Sequence, residues 1–169
     1  MKIKIGNKII SEENPTYFIA DIASNHEFKV RFADMGGIKT AIELSSLSNI
    51  AIKTLAFGII RHLSVVHQLK RSLVNSGVVS IISDFGNGCQ SDNDEDLLIQ
   101  IAESIANISE HAQNKVELVQ MGILHCLVSL SKHESDNVKR GTSRAFALLS
   151  SSPENAVGVF DEKVIPSIL

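Results

Sequence analysis

Three aspartates at alternate positions, Asp92, Asp94 and Asp96, stand in the polar run from Asn87 to Asp96, and Glu103 falls at the twelfth position counted from Asp92. That is the donor spacing of a calcium loop, where carboxylates at positions one, three and five and a bidentate glutamate at twelve wrap a hard cation. The sixth position argues against it, because the sharp turn there needs glycine and Leu97 occupies the place. Leu97 also opens an apolar stripe at helical spacing. Carboxylates at a helix start, favoured by the helix dipole, are the better account.

Other chemistry is thinner. The six histidines, His26, His62, His67, His111, His125 and His133, include no two-histidine spacing with a carboxylate of the kind a zinc hydrolase uses, and a packing role is expected for His125 inside an apolar helix. No Ser, His and acid constellation, phosphate-binding loop or Gly-rich dinucleotide turn is present. The sequence therefore predicts no enzyme, no catalytic residue, no metal and no cofactor. Ser152 before Pro153 fits a proline-directed phosphorylation site, and equally a helix start with serine as cap and proline at the first helical position.

Composition bounds the rest. At 169 residues the chain holds one domain's worth of material, 44% apolar, without Trp and only 5% aromatic, which suits packing of Leu, Ile and Ala helices. A net charge of -3 with dispersed Lys and Arg speaks against a nucleic-acid partner. Cys89 and Cys126 are two scattered thiols rather than a disulfide framework, pointing to a reducing compartment. No apolar run approaches the ~18 residues of a membrane span, and "MKIKIGNK" lacks a signal-peptide core. A cytoplasmic location is expected, the nucleus being the other reducing choice.

The elements that position these residues repeat. "MGGIKTAIELSSLSNIAIKTLAFGIIRHLS", Met35 to Ser64, returns twice in full and once cut short as "EKVIPSIL". Gly37, Gly77, Gly122 and Lys163 align as one column, at intervals of 40, 45 and 41 positions, a period that signals a helical solenoid. The longest element of each copy carries the stripe Ile52, Ala56, Ile60, Leu63, then Leu97, Ile101, Ile105, Ile108, then Val138, Thr142, Phe146, Leu149. Steps of four, four and three put each set on one helical face. A middle helix follows the glycine, with Ile42, Ile82, Leu127 and Ile168 as its core column. A short helix precedes it, with Ala33, Leu73, Leu118 and Val159. Each unit exposes an apolar face that only a neighbour can cover, so the units must stack.

A short helix, a Gly-marked turn, a middle helix and a long helix in about 42 residues resembles the armadillo repeat, which shades into the HEAT repeat. The fold expected is all-α, an armadillo-type right-handed superhelical solenoid of about three and a half repeats over residues 27–169, divided as 27–66, 67–110, 111–152 and a partial 153–169. Gly58, inside the first long helix, is expected to permit helix crowding.

Residues 1–26 stand outside the repeat. Alternation in Lys2 to Ile5, a turn at Gly6 and Asn7, Ile9 and Ile10, and a Pro-led run from Tyr17 to Ala23 predict a β-hairpin and then a buried strand. The segment resembles the start of N-acetylneuraminate (sialic acid) synthases through Asp21, Asn25 and His26 in "ADIASNH". The resemblance implies condensation of phosphoenolpyruvate with an amino sugar at a divalent metal. After the Asn-His pair the likeness ends in Glu27 and Phe28, and a barrel of about 250 residues does not fit the remaining chain. An inactive, fused or misassembled leader is the expectation.

A non-enzymatic interaction module is thus expected, binding a protein or extended peptide in a concave groove lined by the long helices. The columns beside the apolar stripe, Arg61 and His62, Glu103 and Asn107, Arg140 and Arg144, are the candidate groove residues. Armadillo proteins that carry peptides typically place Trp, and Asn four residues later, in columns that hold Gly58 and His62, Glu103 and Asn107, Arg144 and Leu148 here. Only Asn107 matches, so nuclear import is not implied. Asn107 is expected to offer its free amide to a peptide backbone, at no cost in melting temperature when removed. The cut-short last unit predicts weak self-association.

Overall fold

A computed structural model describes residues 23–88 and 94–155, together with the backbone of 3–5 and 8–10. The described chain is overwhelmingly helical. Among the described residues, nine helices fall into three like triplets: α1 (His26–Asp34), α2 (Gly37–Ser45) and α3 (Ile50–Ser64); α4 (Leu69–Asn75), α5 (Val78–Gly88) and α6 (Glu95–Ser109); α7 (Ala112–Gln120), α8 (Ile123–Ser131) and α9 (Asp136–Ser150). These triplets are units one, two and three. Residues 153–155 begin a further helical turn.

Each long helix starts where a side chain can satisfy its first orphan amides. Asn49, Asp94 and Ser135 are extended N-caps whose side chains accept from the N–H of Ile52, Leu97 and Val138 at 3.2, 3.0 and 3.5 Å, each cap being worth about 1 kcal/mol. Asp94 is thus a cap, as the helix-start reading of the aspartate run has it. The turn between short and middle helix is made by Gly36, Gly77 and Gly122 at φ 86, 91 and 83°, a left-handed conformation that costs a residue with a Cβ.

The long helices pack side by side as α3, α6, α9, and the middle and short helices form the backing row. Ile60, Leu63, Leu97, Ile101, Ile105, Ile108, Val138 and Leu149 are sealed from solvent, each large apolar side chain contributing about 1.5–3 kcal/mol by burial. Close approach of α6 and α9 depends on Gly141, where a Cβ would lie 2.9 Å from Ala102 Cβ.

Unit one departs from the expected register by one residue. Its left-handed glycine is Gly36, not Gly37, and the buried columns follow: Phe32 aligns with Leu73 and Leu118, and Ala41 with Ile82 and Leu127, while Ala33 and Ile42 are only half-buried. Gly37 has a separate role, since a Cβ there would stand 2.3 Å from the Phe32 ring. Crowding, in contrast, does not explain Gly58. A Cβ at that position would meet only Gln100 Oε1 at 4.0 Å.

The leader is corrected where it is described. Ala23 and Ser24 are helical, so the strand expected from Tyr17 to Ala23 does not run to its end. The backbones of β1 (Ile3–Ile5) and β2 (Lys8–Ile10) face each other antiparallel with Lys4 opposite Ile9. Their connection, residues 11–22 with Asp21, Cys89, Asp92 and the last part-repeat beyond residue 155 lie outside the described residues.

Candidate functional site

Turning 100° per residue from the buried stripe brings round the face of each long helix that looks away from the core. On α3 that face carries Arg61 and Val65, on α6 Glu103 and Glu110 at its end, and on α9 Arg140 and Arg144. The flanks of the same helices are engaged with one another. Arg61 Nη1 donates to Gln100 Oε1 at 3.1 Å, joining α3 to α6. Asn107, 7% exposed, donates from Nδ2 to Ser64 Oγ at 3.0 Å and accepts at Oδ1 from Arg144 Nη1 at 2.9 Å.

Arg144 is the hub. It also donates to Glu103 Oε2 at 3.2 Å and to Glu110, which receives Lys70 from α4 as well. Burial would raise the Glu110 carboxyl, but the hydrogen bonds and charges of Lys70 and Arg144 outweigh it and hold the group below its ordinary value. On α3, His62 is half-buried, and burial first, then the charges of Arg61 and Lys29, push its imidazole down.

Of the six candidate groove residues, the structure brings Glu103, Asn107 and Arg144 into one network. Arg61 and His62 lie apart, on α3. Arg140 is exposed and makes no ion pair among the described residues. The amide of Asn107 differs from expectation, because its donor and acceptor are both engaged between helices. An asparagine column beside an apolar stripe reads the same in sequence whether it faces solvent or a neighbouring helix.

Two further columns escaped the sequence reading. Asn114 and Asn155, 0% and 3% exposed, stand six residues past Ile108 and Leu149 and donate to their carbonyls at 3.1 Å each. They also donate back to the preceding short helix, at Lys70 O (3.2 Å) and Lys115 O (2.8 Å). The other column is Lys29, Lys70 and Lys115, three residues before Phe32, Leu73 and Leu118. The "MGG" ambiguity hid it, since alignment on Gly37 puts Val30 where Lys29 belongs. Elsewhere, the rings of His67 and His111 lie 5.2 Å apart, and His111 Nδ1 is buried without a hydrogen-bond partner. Burial first, then the charges of His67, Arg71 and Lys70, lower the His111 pKa. Among the described residues no cluster of three metal-ligating side chains occurs, and no helix is long and apolar enough to cross a membrane.

No family model and no curated protein sequence matches the chain. Solved structures do. A designed armadillo repeat protein in complex with the peptide (KR)4 aligns with a TM-score of 0.76 at 22% identity, over 88% of this chain and 62% of that one. A second designed armadillo repeat protein aligns with a TM-score of 0.76 at 17% identity, over 90% and 62%. Computationally designed armadillo repeat proteins for modular peptide recognition align with a TM-score of 0.77 at 16% identity, over 93% and 72%. The chain spans 62% of the length of the first two. At these identities the likeness shows the fold, an armadillo-like helical repeat. The synthase resemblance of residues 1–26 gains no support from it.

Proposed function

We propose that this chain is a non-enzymatic interaction module, with a leader at 1–26 and a solenoid over 27–169, that binds an extended polypeptide along the face of its long helices. The observation that carries the reading is the fixed row α3, α6, α9. Its outward side chains Arg61, Glu103 and Arg144 are held in place by cross-unit hydrogen bonds, so a partner meets a preorganised surface and little ordering cost is left for binding. The fold is shared with designed proteins whose names state peptide recognition. The groove residues of this reading are Arg61, His62, Glu103, Asn107, Arg140 and Arg144.

Binding is set by side chains that project from the row, with Asn107 acting from beneath by holding Arg144. Three long helices give a short site and modest affinity. Charge arrangement of this kind governs selectivity and association rate more than affinity. Weak self-association through the C-terminal part-repeat belongs to the same reading, as does a cytoplasmic or nuclear location.

Fluorescence anisotropy of the full chain with a panel of extended peptides tests it. Arg144→Gln should weaken binding several-fold, while Lys132→Ala, on the turn after α8, should leave it unchanged. Equal affinities for the two variants would move the binding surface elsewhere. The alternative of a truncated synthase predicts turnover of phosphoenolpyruvate with an amino sugar that Asp21→Ala abolishes; none is expected.

A further inference from the structure

Lys29, Lys70 and Lys115 occupy equivalent places in the three short helices, spaced by 41 and 45 positions like the left-handed glycines Gly36, Gly77 and Gly122. In units two and three this lysine reaches the residue two positions beyond the last member of the apolar stripe on its own unit's long helix. Lys70 pairs with Glu110, two beyond Ile108, and Lys115 Nζ donates to Ser151 Oγ at 2.6 Å, two beyond Leu149. In unit one the residue two beyond Leu63 is Val65, which accepts nothing and is 57% exposed.

The lysine has nevertheless stayed buried. Lys29 is 8% exposed and its ammonium makes no ion pair or hydrogen bond among the described residues, although burying a charge without a partner is unfavourable. Arg61, one turn before Val65, has among the described residues only the neutral Gln100 as a hydrogen-bond acceptor. The carboxylate on the next long helix that could turn this way, Glu103, is held by Arg144. Unit one thus repeats the lysine of unit two and lacks its acceptor, while Arg61, where unit two has Ala106, adds a second cation.

We propose that Lys29 and Arg61 form an anion site that takes a carboxylate from an acidic side chain of the bound polypeptide, seated over Val65 where Glu110 sits in unit two. This inference rests on the peptide-binding reading above and narrows its partner to an acidic segment at the α3 end of the row. Charge-assisted hydrogen bonds from both cations are the recognition chemistry. His62 flanks the site, and both cations also act on its imidazole.

The full chain is titrated with three fluorescein-labelled extended peptides that differ only in a central Glu, Gln or Lys. The Glu peptide should bind about tenfold more tightly than the Gln peptide at low salt, with the Lys peptide weakest. Lys29→Met, which keeps the buried stem, should erase the preference for Glu. Val65→Glu is the sharper variant because it supplies the acceptor from within. It should raise the melting temperature and abolish the preference for Glu. Glu and Gln peptides binding equally well in the parent chain would overturn the anion site and leave peptide binding standing. So would a Val65→Glu chain that is no more stable and still prefers Glu. Binding of none of the three peptides would overturn the peptide-binding reading itself, and the proposed occupant with it.

Discussion

The two junctions between units share one apolar core and differ in their polar stitching. Between units two and three, Arg144 gathers Glu103, Asn107 and Glu110, and Asn114 ties the third short helix to α6 and α4. Arg71 adds bonds to Asn114 at 2.8 Å and Glu117 at 2.5 Å. Between units one and two the equivalent places hold Gly58 for Glu103, Val65 for Glu110 and Leu69 for Asn114. What crosses there is Arg61 to Gln100 and Asn107 to Ser64. Apolar periodicity alone makes a stack, and hydrogen-bonding columns decide how firmly each neighbour is held.

The largest expected effect removes the part common to both junctions. Ile105 is fully buried in the middle long helix, and Ile105→Ala should cost about 2–5 kcal/mol, read as a fall in the denaturant midpoint by circular dichroism. A loss confined to one unit's amides in hydrogen exchange would show that the junctions do not share this core.

Asn114→Ala comes next and probes one junction only. It removes the amide's bonds to the carbonyls of Lys70 and Ile108 and one of the two bonds of Arg71 Nη1, a loss of about 1–3 kcal/mol. Amide protection should fall in α7 and around α6 more than in α2 and α3. Uniform loss across all helices would mean the stack unfolds as one cooperative block with no weaker seam.

The smallest effect is acidification. His62 and His111 titrate below their ordinary value of 6.5 in the folded chain. Their contribution is complete above 6.5 and is lost as pH falls from there through the folded values, because the unfolded chain takes up the proton first. Glu110 lies below its ordinary value of 4.5. Its contribution is present above 4.5 and is lost as pH falls through the folded value. Because Glu110 is partly exposed, its step should be shallow. Two successive declines in melting temperature are expected, and Lys70→Met should shrink the second. An unchanged second decline in that variant would separate Glu110 from the acid sensitivity.

What the sequence disclosed follows from how locally each feature is encoded. The long helices were legible because each four-four-three stripe is written within a single stretch of twelve residues. The short and middle helices of unit one were misplaced by one residue because Gly36 and Gly37 are identical in type, and only backbone φ and the Phe32 ring distinguish the turn former from the packing residue. The engagement of Asn107 depends on Ser64 and Arg144, 43 and 37 positions away, and no single unit contains that information. The lysine column became visible only once the register was set by Phe32.

The cap at Asp94 has an architectural consequence. The connection from the middle to the long helix is four residues in units one and three, Ser46 to Asn49 and Lys132 to Ser135, and runs longer in unit two before Asp94. Yet α6 starts in the same relation to its cap as α3 and α9 do. A helix that begins wherever its cap stands forgets how many residues came before. The connection before Asp94 is therefore a seam at which sequence can be inserted while every downstream column keeps its neighbours.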